Sequence, residues 1–80
     1  MELIIISPEG VLLNETAERV TLPGSMGAFS VLKGHAPLVS TLEKGPVVYI
    51  QNKKEKKYNI GGGVTVVDKD VVRVMVEEKD

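Results

Sequence analysis

The sequence predicts an all-β fold: a small antiparallel β-sandwich or flattened barrel of about nine to ten strands, with residues 1–80 forming a single domain. Three observations predict it. β-Branched residues dominate, with 13 Val, 5 Ile and 4 Thr against only 3 Ala, and branching at Cβ fits a pleated surface better than a helix. No stretch carries the i, i+3, i+4, i+7 apolar stripe of an amphipathic helix. Glycine, proline, asparagine and aspartate punctuate the chain every few residues, which is the rhythm of hairpins.

The elements follow in order. Residues 2–7 are an apolar run of strand length, ended by a turn at Pro8-Glu9-Gly10. Residues 11–14 form a second short strand, with a turn at Asn14-Glu15. Residues 16–22 alternate, but the phase slips between Ala17 and Val20, which predicts a bulge or a late strand start near Arg19. Pro23-Gly24 fits the central pair of a type II turn, with φ > 0 at the glycine. Residues 27–32 form a short strand with Phe29 and Val31 on its core face, and residues 33–37 form a second loop. A strand over 38–42 ends at Glu43-Lys44-Gly45-Pro46, and Pro46 is expected at a strand start or edge because it donates no ladder bond. Residues 47–51 and 55–60 flank a hairpin turn at Asn52-Lys53-Lys54. Gly61-Gly62-Gly63 bends the chain where two backbones approach closely. Residues 64–67 and 71–76 flank a last turn at Asp68-Lys69-Asp70, with Val72, Val74 and Val76 on one face, before a polar tail over 77–80.

Composition excludes several classes. With no cysteine and a single histidine, there is no disulfide framework and no zinc ligand set. No run of about 18 apolar residues is present to span a bilayer as a helix. The start, Met1-Glu2-Leu3-Ile4-Ile5-Ile6, reads as a strand rather than a leader. Net charge is −1, so no bulk attraction to nucleic acid is expected. A chain this short removes only about 60% of its unfolded surface from water. A partner that binds the folded form is therefore expected to supply part of its working stability.

Chemistry is sparse. His35 is the one side chain with an ordinary pKa near neutrality, but no serine or carboxylate stands at a spacing that would pair with it, so a loop or contact histidine is expected rather than a catalyst. Asp68 and Asp70 lack the further oxygen ligands of a calcium loop. Gly61-Gly62-Gly63 precedes a strand rather than the helix N-terminus that a phosphate loop needs. No catalytic residue, cofactor or metal is expected. Lys53, Lys54, Lys56 and Lys57, close to Tyr49 and Tyr58, carry the second reading, a small barrel that binds single-stranded nucleic acid. A lysine-rich hairpin that keeps a sheet edge soluble explains the same residues.

One stretch allows more. Leu22-Pro23-Gly24-Ser25, then Met26-Gly27-Ala28-Phe29-Ser30-Val31-Leu32, then Gly34-His35-Ala36-Pro37-Leu38-Val39 resembles the N-terminal domain of the epsilon subunits of F-type ATP synthases. Ile6-Ser7-Pro8-Glu9-Gly10-Val11 and Gly61-Gly62-Gly63-Val64 extend that resemblance over essentially the whole chain, with Gly61 where the family has serine. The resemblance implies a ten-stranded sandwich on the rotor. It implies a non-catalytic central-stalk subunit that docks on the gamma subunit and contacts the polar loops of the c-ring, coupling ion flow to ATP synthesis. By position, Ser7, His35 and Ser40 would face gamma, and Gly24, Ser25, Met26, Gly27 and Ala28 would face the c-ring. The family often carries an acid where Ala28 stands, which implies packing through Met26 in place of a charge-assisted contact. Gly45-Pro46 likewise inverts the family's usual Pro-Gly. The implied location is the cytoplasmic face of a bacterial inner membrane, reached only through the complex. Many members continue into a C-terminal helical hairpin that inhibits ATP hydrolysis and in some binds ATP. These 80 residues are either a natural short form or one domain of a longer subunit, and as they stand they are expected to lack that inhibition and ATP site.

Overall fold

Alternating burial along most strands separates an inward from an outward set of side chains. The structure, a computed structural model, describes residues 1–77. Nine strands form: β1 (Glu2–Ser7), β2 (Gly10–Thr16), β3 (Arg19–Leu22), β4 (Phe29–Leu32), β5 (Leu38–Leu42), β6 (Gly45–Gln51), β7 (Lys54–Ile60), β8 (Gly63–Asp68) and β9 (Val71–Val76). No described residue is helical. The strands build a five-stranded sheet, β2-β1-β9-β8-β5, and a four-stranded sheet, β4-β3-β6-β7. The expected sandwich is therefore observed, with nine strands. Residues 78–80 of the predicted tail lie outside the described residues.

The core is the space between the two sheets. Leu3 and Ile5 of β1, Val67 of β8, and Val72 and Val74 of β9 meet Val20 and Leu22 of β3, Val31 of β4, and Val47 and Tyr49 of β6. Full burial of each such aliphatic side chain contributes roughly 1.5–3 kcal/mol relative to exposure. Thr65 is a polar member of the five-stranded sheet's inner face, and its hydroxyl donates to the Arg73 carbonyl at 2.9 Å, so burial leaves it satisfied.

Four local expectations need correction. Asn14 and Glu15 do not turn; they stay in β2 opposite Ile4 and Leu3. The chain leaves that sheet only at Ala17, whose N–H donates to the Met1 carbonyl at 2.7 Å, while the Glu18 N–H donates to Ile50 of the other sheet at 2.8 Å. This handover explains why β3 starts at Arg19, as the phase slip predicts. The sheets are not antiparallel throughout: β1 and β9 pair in parallel, Leu3 opposite Val72 and Ile5 opposite Val74. A parallel pair needs a crossover connection, and here the intervening chain supplies it by visiting the other sheet. Gly24 has no positive φ and is not the left-handed corner of a type II turn; Gly27, at φ +124°, takes the left-handed conformation. The strand predicted from residue 27 accordingly begins at Phe29.

The two hairpin predictions hold and tighten. Asn52 and Lys53 (φ 53° and 65°) and Lys69 and Asp70 (φ 53° and 63°) are paired left-handed residues, the backbone of a two-residue type I′ turn matched to strand twist. Gly63 sits where a Cβ would collide with the Met75 carbonyl, so the glycine bend is a close backbone approach as expected.

Candidate interaction surface

Strand pairing fixes what each outer face presents. On the five-stranded sheet the cross-strand rows run Asn14, Ile4, Arg73, Val66, Val39 and, next to it, Val11, Ile6, Met75, Val64, Thr41. Val11, Val39 and Met75 are exposed, at 62%, 72% and 38%, and Ile4, Ile6, Val64 and Val66 are half-buried. The result is a contiguous apolar surface with one guanidinium, Arg73, at its centre and the acids Glu2 and Asp68 in the row beside it. Surfaces of this kind on soluble domains mark interaction sites. Residue-by-residue reading passed over it, although a signal was present. Leu3-Ile4-Ile5-Ile6 and Val64-Thr65-Val66-Val67 do not alternate, so both faces of those strands are apolar although only one is core.

Residues 24–28 form a rigid protrusion where the chain crosses from β3 to β4. Pro23 accepts from the Glu43 N–H at 2.8 Å, and the Ser25 N–H donates to the Thr41 carbonyl at 3.0 Å, which ties the loop to the end of β5. The Thr41 hydroxyl donates to Ser25 Oγ at 2.8 Å. The Gly27 N–H closes a turn on the Gly24 carbonyl at 3.0 Å. A Cβ on Gly24 would lie 2.7 Å from the Gly27 oxygen and 2.8 Å from the Phe29 ring, so close packing, not a special φ, requires glycine there. Met26 stands fully exposed at the apex, flanked by exposed Ser25, Gly27 and Ala28.

The three residues expected to face gamma are not brought together. Ser7 ends β1; its hydroxyl accepts from the Glu9 N–H at 3.2 Å and donates to the Gly10 carbonyl at 3.4 Å, shaping the β1–β2 turn. Ser40 is half-buried on edge strand β5, separated from β1 by β9 and β8, and its hydroxyl donates to the Thr41 carbonyl at 3.0 Å. His35 is exposed in the loop at the opposite end from Ser7. Its Nδ1–H donates to the Ala36 carbonyl at 2.6 Å, because a carbonyl can only accept.

The lysine hairpin lacks a stacking platform. Tyr49 is buried and Tyr58 half-buried, both on the inward side with Lys54 and Lys56, whereas Lys57 points outward. Burial, and secondarily the Glu15 carboxylate, raises the Tyr49 hydroxyl above its ordinary pKa of 10.0. Gln51 binds the tip of this hairpin to the other sheet, donating to Glu15 Oε1 at 2.8 Å and to the Thr16 carbonyl at 2.9 Å, and Lys56 donates to Gln51 Oε1 at 2.7 Å. Among the described residues no group of three or more His, Cys, Asp or Glu side chains is placed to hold a metal ion.

Fold and surface together define a class: a small β-sandwich domain whose distinctive features are an apolar sheet face and a rigid, methionine-tipped loop. Comparison with known proteins makes the class specific. Residues 1–79 match the family described as ATP synthase, Delta/Epsilon chain, beta-sandwich domain, and the chain belongs to that family. An ATP synthase epsilon chain of Desulfitobacterium hafniense is 40% identical over 73 residues, covering 91% of this chain and 55% of the relative. One from Rickettsia bellii is 40% identical over 76 residues, covering 91% and 70%. The Desulfitobacterium relative is thus nearly twice as long as the part matched. A chain of the Euglena gracilis mitochondrial ATP synthase, in a structure of OSCP, F1 and the c-ring, superposes with a TM-score of 0.84 at 26% identity, covering 92% of this chain and 48% of that one. A chain from the central stalk and c-ring of the Tetrahymena thermophila enzyme shares the fold, with a TM-score of 0.77 at 16% identity.

Proposed function

We propose that the chain works as the sandwich part of an epsilon-type rotor subunit, docking on the gamma subunit with the outer face of its five-stranded sheet and offering residues 24–28 to the c-ring. The apolar face centred on Met75 carries this reading. Ile6, Val64 and Met75 gain little by remaining in water, and a partner that covers them supplies a hydrophobic contribution of about 25 cal/mol per Å² buried. Family membership and a structural relative within an F1–c-ring assembly support the choice of partner. Of the three residues expected to face gamma, Ser7 and Ser40 belong to the inward-facing sets of β1 and β5, Ser7 buried and Ser40 half-buried, so only exposed His35 offers its side chain to gamma directly. The Met26 loop, held by backbone bonds to β5, suits a contact that must transmit force without rearranging.

The role is mechanical and non-catalytic. Cross-strand ladders link every strand to a neighbour, so a load applied at the loop reaches the docking face through stiff elements. In this reading the protein meets the cytoplasmic face of the bacterial inner membrane only through its complex, and no helix among the described residues is long and apolar enough to cross a membrane. The test is direct association. The purified chain mixed with gamma is expected to elute from gel filtration as a stoichiometric complex; a folded chain that elutes alone contradicts the proposal.

A further inference from the structure

The loop that carries His35 is held differently from the Met26 loop, and one acidic residue accounts for most of the difference. Residues 33–37 leave the four-stranded sheet at Leu32 and are exposed throughout. Within the loop, the His35 N–H donates to the Leu32 carbonyl at 3.0 Å, and Gly34 takes φ +82°. Across to the other sheet, the Gly34 N–H donates to Asp70 Oδ1 at 2.9 Å. Asp70 lies 36 positions away in the β8–β9 turn, and its carbonyl also accepts from the Glu2 N–H at 3.0 Å, so it sits at the junction of β1, β9 and the loop.

The conformation of Asp70 is informative. At φ 63° it occupies the left-handed region, where glycine is the least strained residue and Asp or Asn is tolerated. The turn itself would be served as well by glycine. What glycine would lack is the carboxylate that accepts from Gly34, and an acceptor bearing charge strengthens such a bond.

We propose that Asp70 is a positioning residue for docking: it pre-orders the His35 loop in the conformation that meets gamma, and it contacts gamma only through that loop. The inference rests on the docking reading above. Pre-ordering removes entropy that association would otherwise have to remove, so its loss appears as weaker binding while the domain stays folded.

Two substitutions test it, with amide exchange and gamma binding measured on the whole chain. Asp70→Gly suits the turn but removes the acceptor; Asp70→Asn keeps an Oδ1 acceptor and tolerates the same φ. Asp70→Gly is expected to leave thermal unfolding unchanged or slightly raised, to speed exchange of the Gly34 amide by on the order of tenfold, and to weaken gamma binding about three- to tenfold. Asp70→Asn is expected to restore most of both. Unchanged Gly34 exchange in Asp70→Gly would show that the tie does not order the loop. Faster exchange with unaltered affinity would show that the loop's order is irrelevant to docking. Either result overturns the inference while leaving wild-type docking intact, whereas a wild-type chain that does not bind gamma overturns the docking reading itself, and this inference with it.

Discussion

On the outer face of the five-stranded sheet, Ile6 lies between Val11 and Met75, and Val64 between Met75 and Thr41. On the outer face of the four-stranded sheet, Val48 lies between Thr21 and Lys57, and Ile50 between Arg19 and Glu55. Both faces contain aliphatic residues, so the number of apolar residues does not separate them; their neighbours do. Exposed Lys57 stands beside Val48, and exposed Arg19 and Glu55 stand beside Ile50, long side chains of the kind whose stems shield apolar neighbours while their heads stay in water; Thr21 and Ser30 bond across β3 and β4 with oxygens 2.7 Å apart. The four-stranded sheet is finished as a solvent surface. On the five-stranded sheet Ile6, Val64 and Met75 have only Val11, Thr41 and one another as row neighbours, and Arg73 is the one charged side chain between Ile4 and Val66, the arrangement of a surface made to be covered by something else.

Charge reversal on each face gives the largest contrast. Met75→Glu puts a carboxylate in the middle of the apolar face at a position 38% exposed in the free chain. It is expected to weaken association with gamma by on the order of a hundredfold, as loss of a central anchor does, while thermal unfolding changes little. Lys57→Glu, on the other face, is expected to change neither affinity nor stability, its effect staying within about 0.5 kcal/mol. Equal losses in the two variants, read by titration calorimetry, would erase the distinction. Gly24→Val acts on the loop beside the apolar sheet. Its side chain would have to displace the Gly27 carbonyl or the Phe29 ring, an overpacking that costs about 2–3 kcal/mol. Denaturant unfolding with an unchanged midpoint would mean that the loop is looser than its contacts imply.

How much of this could be read from the residues depends on which interactions decide each feature. The strands at residues 2–7, 38–42 and 71–76 were legible because local composition and turn residues alone fix them. Both type I′ hairpins were legible for the same reason. Partners distant in sequence decide the rest. Asn14-Glu15 looks like a turn until β1 is present to hold both residues in a ladder. Gly24 looks like a φ > 0 glycine beside a proline, and only the fold shows that Phe29 and the Gly27 carbonyl crowd it. The parallel β1–β9 pair joins two ends of the chain that no local pattern links. Among the site residues, the Met26 protrusion was legible as a shaped loop. The Asp70 tie and the apolar outer face were not, because each exists only once strands far apart in sequence lie side by side.

The central claim is that the five-stranded sheet, and not its counterpart, is the docking face. Methyl resonances of valine and isoleucine, recorded with and without gamma, test it most directly because both faces carry reporters. The account predicts that Ile4, Ile6, Val39, Val64 and Val66 shift or broaden on addition of gamma while Val48 and Ile50 stay in place. Perturbation centred on Val48 and Ile50, with Ile6 and Val64 unmoved, would contradict it.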